Sequence, residues 1–286
     1  MAPLLTRGRV GAALLASLAL TLLVALLVTL LVRLGLSFAA ADTRQPAPPA
    51  ARLKEHPALR ALPPRLAWAW ERPEDLRWLP ADAGVAWLHS RILLQGEQTL
   101  VMPRAQPMQV RPETVLVPVV HVDASVRQPP ALTAPQRQRI VAQLLRAAAR
   151  APSRVVQLDF EVRLSQRAFL ADVVRAARQA LPADVALSIT ALASWCASDT
   201  WLQGLPADEI VPMAFRMSRD SAMLRARLQA QDGRFTAEGC GRAIGSATDE
   251  PLAGLRAPRH YVFSPRPWTP AAWAAHPFDT APVAAD

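Results

Sequence analysis

Short apolar segments recur along the chain between residues 65 and 265, and polar stretches separate them. Each segment has the length of a buried strand and is bounded by residues that favour turns. Eight strands are predicted on this basis, at 65–70, 84–94, 114–123, 154–162, 186–194, 209–215, 242–248 and 260–265.

Helical patterns lie between several of these strands. Thr133 is predicted to cap a helix that has Pro135 in its first turn. Further helices are expected at 169–177, at 220–231 and, as a short helix, at 71–79, whereas 95–113 is expected to be irregular. Alternation of strands and helices implies parallel strands, and eight repeats predict an α/β fold, a closed (β/α)8 barrel of the TIM type. An open doubly wound sheet is the alternative.

The fourth strand lies in "RVVQLDFEVRLSQ" (154–166), an apolar segment with an amide and two carboxyl groups at alternate positions. Residues two apart in a strand point the same way, so Gln157, Asp159 and Glu161 share one face. In a barrel this face is directed inward, and the alternate residues Val156, Leu158 and Phe160 pack against the helices. Glu161 is expected at the carboxyl end of the strand, where barrel enzymes carry their chemistry.

Asp159 and Glu161 are the strongest catalytic candidates. Two residues of strand separate their α-carbons by about 6.6 Å, so the carboxyl groups can approach each other. Like charges at this distance raise the pKa of one group, which predicts Glu161 as a general acid and Asp159 as its partner. A polar layer of the barrel without catalytic function is the alternative.

Other side chains near the predicted strand ends extend the candidate site. Trp70, Trp195 and Trp268 have aromatic faces that either stack on sugar rings or fill the space between barrel and helices. Glu71 follows the first strand, and Gln157 shares the inward face with the acid pair. These five residues are predicted to contact a polar ligand.

A metal-dependent hydrolase is a further alternative. His89 ends the second strand, His121 and Asp123 end the third, and with Asp159 they could supply metal ligands. Nothing in the sequence fixes a third histidine, and "GCGRAIG" does not match a dinucleotide-binding motif. We therefore expect neither a metal nor another cofactor.

Cys196 and Cys240 are the only cysteines of the chain. Cys196 follows the fifth predicted strand and Cys240 precedes the seventh, which places them at opposite ends of a regular barrel. A disulfide between them requires the loop 232–241 to rise towards the other end, so the pairing is left open by the sequence.

The segment 1–41 contains an uninterrupted apolar run, Val10–Val32, preceded by Arg7 and Arg9. As a helix at about 1.5 Å per residue it reaches about 34 Å, enough to cross a bilayer core of about 30 Å. We predict a signal anchor, or a signal peptide cleaved after Ala41. The rest of the chain is expected to face the periplasm or the extracellular side from the inner membrane, or to be secreted if cleavage occurs.

The remaining chain divides by composition into a proline-rich spacer (42–64), the barrel (65–268) and a C-terminal tail (269–286). The formal net charge is +9, but Lys54 is the only lysine and the arginines are scattered. No basic run is interleaved with aromatic residues, so a nucleic-acid partner is not expected.

"VVQLDFE", followed two strands later by "VPMAF", resembles glycoside hydrolase family 18, the chitinases and their relatives. That family has D-x-x-D-x-D-x-E on strand four and M-x-Y-D on strand six. The last D-x-E is present as Asp159 and Glu161, whereas Phe215 and Arg216 replace the tyrosine and the final acid. The resemblance implies a glycan ligand with Glu161 as proton donor, and it adds Phe215 and Arg216 to the residues expected to contact the ligand.

Further segments, among them "WAWERPEDLRWL", "LSITALASWC" and "YVFSPRPWT", resemble an uncharacterised bacterial family of exported barrel proteins. The sequence therefore predicts an exported, membrane-tethered barrel that hydrolyses or modifies a cell-envelope or extracellular glycan. A barrel that binds glycan without turnover and the metal-dependent hydrolase are the alternatives.

Overall fold

Eight parallel strands close into a barrel in the computed structural model, which describes residues 55–199, 201–218 and 221–278. The strands in chain order are β1 (Arg65–Ala69), β2 (Glu74–Asp75), β3 (Ala83–Gln95), β4 (Gln98–Pro103), β5 (Met108–Gln109), β6 (Leu116–Ala124), β7 (Val155–Asp159), β8 (Ala186–Leu192), β9 (Glu209–Met213), β10 (Ala243–Ala247) and β11 (Arg259–Phe263). The barrel follows the order β1-β3-β6-β7-β8-β9-β10-β11, and β1 pairs with both β3 and β11. This pairing confirms the predicted closed barrel and excludes the open sheet.

The helices are α1 (Pro57–Arg60), α2 (Ala134–Ala148), α3 (Arg167–Ala180), α4 (Ala193–Ala197), α5 (Ser221–Ala230) and α6 (Pro270–Ala274), and a 3-10 turn spans Leu164–Gln166. Thr133 caps α2 as predicted, because its hydroxyl oxygen accepts a hydrogen bond from the Gln136 amide at 3.4 Å. The helix expected at 169–177 is part of α3, and five of its apolar side chains are buried: Phe169, Leu170, Val173, Val174 and Ala177.

Strand residues divide between a hydrophobic core inside the barrel and hydrophobic clusters on its outer side. Buried side chains from all eight barrel strands meet inside the barrel, among them Leu66, Val119, Val155 and Tyr261. The alternate residues pack outward against α2 and α3: Val156, Leu158 and Phe160. The inward and outward faces predicted for the fourth strand are therefore confirmed.

The folded unit extends beyond 65–268 at both ends. Leu59 of α1 is fully buried, and its carbonyl oxygen accepts a hydrogen bond from the Arg259 side chain. Trp273 of α6 packs against Trp268, with 5.6 Å between ring centroids. Part of the predicted spacer and part of the predicted tail thus contribute to the core.

The short helix predicted at 71–79 is wrong, since β2 pairs in parallel with β5 there. The Glu74 amide donates to the Pro107 carbonyl oxygen at 3.1 Å, and the Leu76 amide donates to that of Gln109 at 2.8 Å. These amides are bonded to another segment as parts of a strand pair, so the backbone here is extended and not helical. The expected irregular stretch 95–113 is also partly wrong, because β4 pairs antiparallel with the second half of β3.

A disulfide joins Cys196 to Cys240. Cys196 lies in α4, directly after β8, and Cys240 lies 44 residues later in the loop before β10, with 5.9 Å between the α-carbons. The loop therefore reaches α4, which decides the pairing that the sequence leaves open.

Among the residues that the structure describes, no helix is both long enough and apolar enough to cross a bilayer. The run Val10–Val32, on which the membrane prediction rests, lies outside the described residues.

Candidate active site

The predicted acid pair lies at the carboxyl end of the barrel. Asp159 is the last residue of β7 and is 9% exposed, and Phe160 after it is buried on the outer side. Glu161 lies two residues beyond the strand and is exposed. The acid pair is therefore at the end where barrel enzymes carry their chemistry, with Asp159 on the strand and Glu161 in the loop that follows.

Both carboxylate oxygens of Asp159 are hydrogen-bonded. His121 on β6 lies opposite Asp159 in the strand register, and its Nδ1 is 2.7 Å from Asp159 Oδ2. Thr190 on β8 donates from Oγ1 to Asp159 Oδ1 at 2.6 Å. Three neighbouring strands thus hold the carboxylate in one orientation.

His121 also contacts a second carboxylate. Its Nε2 lies 3.2 Å from Asp123 Oδ1, and Arg91 on β3 donates from Nε to Asp123 Oδ2 at 2.6 Å. Burial alone would lower the pKa of His121, but the charges of Asp159 and Asp123 outweigh burial and raise the pKa to about 10. The hydrogen bond from His121 lowers the pKa of Asp123 to about 2, although partial burial acts in the opposite direction. At neutral pH this part of the site contains an imidazolium between two carboxylates.

The electrostatic environment of Glu161 is different. Glu161 touches solvent, but the protein atoms around it in the mouth of the barrel reduce its hydration and raise the pKa of its carboxyl group, and the negative charge of Asp159 raises it further. The positive charges of His121 and Arg216 act against this increase without cancelling it. Glu161 therefore holds its proton to a higher pH than an isolated glutamate, in the direction predicted from the sequence.

Three aromatic rings line the mouth beside the acid pair. Trp70 meets the His121 ring edge-on at 5.0 Å and the Phe263 ring at 6.3 Å. Phe215 stacks on Phe263, with 5.8 Å between centroids and 4° between planes. We call Trp70, Phe215 and Phe263 the aromatic wall. Its rings are partly exposed, so they offer a surface to a ligand.

Arg216 covers one end of the aromatic wall. Its guanidinium carbon lies 4.9 Å from the Phe263 centroid, and its side chain is 58% exposed. The backbone has φ of 51°, and Glu250 accepts a hydrogen bond from its amide at 2.8 Å. A non-glycine residue in this left-handed conformation is uncommon, and such residues cluster at functional sites.

Gln157 lies one layer below the mouth and has no exposed surface. Its Oε1 accepts from Trp68 Nε1 at 2.8 Å, and its Nε2 donates to Ser188 Oγ at 3.1 Å. Ser188 in turn donates to Glu209 at 2.7 Å. The predicted ligand contact of Gln157 stays a prediction, since its amide is already bonded within a buried polar network.

The other residues predicted to contact a ligand lie in different surroundings. Glu71 is exposed next to Trp70, and its Oε1 accepts from the amides of Ala105 and Gln106 at 3.1 and 3.0 Å. Trp195 is 3% exposed in α4 and meets Trp201 edge-on. Trp268 is 5% exposed, and its indole nitrogen donates to the Trp68 carbonyl oxygen at 2.9 Å. The structure therefore brings Trp70, Phe215 and Arg216 to the acid pair, and it buries Trp195 and Trp268 in the packing.

His121, Asp123 and Asp159 lie together but bond to one another, and within the described part of the chain no group of three or more His, Cys, Asp or Glu side chains is arranged to hold a metal. His89 packs edge-on against Trp87 and lies 3.3 Å from Ser90 Oγ. It sits at a bulge, because the register between β3 and β6 shifts between Leu88 and Ser90.

A groove lies at the amino end of the barrel, away from the acid pair. It is lined by α1 and by the segments that precede β6, β7 and β8. Arg154 and Asp184 are bonded to each other at its rim. Because barrel enzymes place their chemistry at the opposite end, we assign the functional site to the acid pair and not to this groove.

Several members of the site were not recognised from the sequence in these roles. The sequence pattern indicates His121 and Asp123 only as candidate metal ligands, and it does not distinguish Thr190 or Phe263 from other strand residues. The sequence feature that indicates these four residues is the same alternation that identified Asp159, because each is an inward-facing residue near the end of a strand. Which inward residues of different strands meet depends on the register between strands.

No family model matches the chain, and no curated protein matches it in sequence. Among solved structures, the chain is similar to the crystal structure of the Bacillus cereus spore cortex-lytic enzyme SleL, at 13% identity and a TM-score of 0.39. The match covers 64% of this chain and 51% of that one, so the chain spans about half the length of the enzyme. A similarity at this level does not carry an argument about ligand or chemistry. The chain is therefore characterised by its own strand order, as a closed α/β barrel with a pair of acids at its carboxyl end.

Proposed function

We propose that the protein is a glycoside-hydrolase-like barrel acting on a cell-envelope or extracellular glycan, with Glu161 as general acid and Asp159 as its partner. The contrast between the two carboxyl groups carries this proposal. Asp159 has both oxygens bonded and is nearly buried, whereas Glu161 is exposed, has a raised pKa and accepts no hydrogen bond from a described residue. Two acids whose environments differ in this way are typical of an acid–base pair.

The arrangement suits cleavage of a glycosidic bond. Glu161 would donate its proton to the glycosidic oxygen as the bond to the leaving sugar breaks, and water would then add to the anomeric carbon and return a proton to Glu161. The fixed negative charge of Asp159 would face the positive charge that develops on the sugar ring. The aromatic wall supports a sugar face, and pockets for such ligands combine aromatic surface with a few placed polar groups. The predicted export of the chain supports a glycan outside the cytoplasm.

We expect Glu161→Gln to lower turnover of a hydrolysed glycan by about 10²-fold or more, because the amide cannot donate the proton and general acid catalysis contributes on this scale. Asp159→Asn should lower turnover by a smaller factor, since Asp159 faces the positive charge that develops on the sugar ring but does not transfer the proton. The measurement is release of new reducing ends from envelope and extracellular polysaccharides by the full-length protein.

Glu113→Gln is the matched control, since it changes an exposed carboxyl group that pairs with Arg111 at the opposite end of the barrel. Its turnover should equal that of the wild type. Unchanged turnover in Glu161→Gln would contradict the catalytic assignment.

A glycan-binding barrel without turnover is the second candidate. The observation that favours it is Phe215, which provides no hydroxyl group at the aromatic wall, together with Arg216, whose charge acts against proton retention by Glu161. Binding to a glycan array without release of reducing ends would support this candidate over the hydrolase.

A further inference from the structure

His121 occupies a central position that neither the acid pair nor the aromatic wall accounts for. We propose that His121, as an imidazolium, is a positioning residue that orients Asp159 and supplies the compensating positive charge beside Glu161. The inference rests on the proposed function, because a role in catalysis requires Glu161 to be the general acid. The effect of His121 on the pKa of Glu161 can be measured without a substrate.

Both nitrogens of the His121 ring face carboxylates. Nδ1 is hydrogen-bonded to Asp159 Oδ2 at 2.7 Å, and Nε2 forms an ion-pair contact with Asp123 Oδ1 at 3.2 Å. Ionised carboxylates only accept hydrogen bonds, so a ring that carries both protons matches both contacts. A neutral imidazole would leave one nitrogen lone pair facing a carboxylate.

The orientation of the ring is fixed from both sides. Asp123 is held by Arg91, and Asp159 is held by Thr190. The edge of Trp70 packs on the ring at 5.0 Å. A continuous chain of hydrogen bonds and one ion-pair contact therefore runs across β3, β6, β7 and β8, with His121 in its middle. Displacing the ring would free Asp159 to rotate.

His121 is one of the two positive groups that act directly on Glu161. The negative groups that face it are Asp159 and Asp123, and the positive groups are His121 and Arg216, with Arg91 behind Asp123. Without the imidazolium, the negative charge of Asp159 would act on Glu161 with less compensation. Glu161 would then hold its proton to a higher pH.

The test is a carbon NMR titration of the full-length protein in detergent, with labelled glutamate side chains and no substrate. The Glu161 signal is identified by its loss in Glu161→Gln. In His121→Gln we expect the pKa of Glu161 to rise by about one unit, at the lower end of the effect of a neighbouring opposite charge. An unchanged or lower pKa in a folded His121→Gln protein would overturn the proposal.

His89→Gln is the matched control, because it makes the same chemical change on β3 next to Trp87 and Ser90, outside the hydrogen-bonded chain. It should leave the pKa of Glu161 unchanged. Circular dichroism establishes that both variants are folded.

Asp123→Asn provides a second, independent measurement should His121→Gln not fold. Loss of one carboxylate partner should lower the pKa of His121 from about 10 towards its usual value near 6.5, observed through the imidazole proton signals. A wild-type imidazole that already titrates near 6.5 would refute the bridging imidazolium.

The two proposals can fail separately. If Glu161→Gln leaves turnover unchanged, the proposed hydrolase fails, while the NMR titration still decides the role of His121. If the protein does turn over a glycan, the alkaline limb of its pH–rate profile should move upward in His121→Gln together with the pKa of Glu161, because Glu161 acts in its protonated form. A limb that stays in place would contradict the positioning role even in an active enzyme.

Discussion

Glu209 is a buried carboxylate inside the barrel, at the first residue of β9. It accepts hydrogen bonds from Ser188 at 2.7 Å and from Tyr261 at 2.9 Å, and it forms an ion pair with Arg259, which is 4% exposed. Arg259 also donates to the Leu59 carbonyl oxygen of α1. The network joins the barrel interior to α1, which covers the amino end of the barrel. Arg259 therefore connects Glu209 inside the barrel to the backbone of α1.

Glu209→Gln should lower the free energy of unfolding by about 3 kcal/mol, at the lower end of the range for breaking a buried ion pair, because Arg259 loses its buried partner but keeps Glu55 at 3.3 Å. The urea midpoint of the wild type and the variant measures this change. Asp232→Asn is the control, since the pair of Asp232 with Arg256 is largely exposed and should contribute at most about 1 kcal/mol. Equal midpoints for Glu209→Gln and the wild type would contradict the structural role of the network.

At the scale of elements, the disulfide ties α4 to the loop before β10. Its two cysteines are 44 residues apart, and the closed loop includes β9 and α5. Cross-linking restricts the unfolded chain, which stabilises the folded state by about 2–4 kcal/mol. The elements within this loop should therefore depend on the bond more than β6 or β7 do.

Reduction of the disulfide should lower the melting temperature by several degrees, since about 1 kcal/mol corresponds to about 2–4 °C in a domain of this size. The measurement is thermal unfolding with and without a reductant. A double variant, Cys196→Ser with Cys240→Ser, should melt like the reduced protein and should not respond to the reductant. Two titratable thiols in the unreduced native protein would contradict the bond.

At the scale of the whole molecule, we propose that the chain is anchored in the inner membrane with the barrel outside the cytoplasm. The proposal rests on the sequence from Val10 to Val32, and the structure bears on the barrel alone. An exported barrel would meet envelope glycans directly, and an oxidising compartment permits the disulfide.

The full-length protein should sediment with membranes, and residues beyond 42 should be cleaved by a protease added outside the cytoplasm. The apolar run supplies the reason, since about 20 apolar residues suffice to span a bilayer. A chain that lacks 1–41 is the control and should leave the membrane fraction. Recovery of the intact full-length chain in the soluble cytoplasmic fraction would exclude the anchor.

The eight barrel strands and the acid pair could be read from the sequence because both follow from local periodicity. Alternation in 154–162 assigns residues to faces, and repeated strand and helix segments imply parallel strands. The helix predicted at 71–79 was wrong because the structure there depends on a distant segment of the chain. Its backbone amides bond to the segment 107–109, and local pattern carries no information about a partner more than 30 residues away.

What only the tertiary structure decided is which inward side chains meet. Closure of the barrel brings Trp68 of β1 to Gln157 of β7 across 89 residues of sequence. Gly245 leaves room for the Trp68 indole, because an added Cβ would lie 3.0 Å from the ring. The sequence by itself determined the strands, their faces and the position of Asp159 near a strand end with Glu161 two residues later. The register between β6, β7 and β8 decided that His121 and Thr190 hold Asp159 and leave Glu161 free, because hydrogen bonds between strands depend on alignment over long sequence separations.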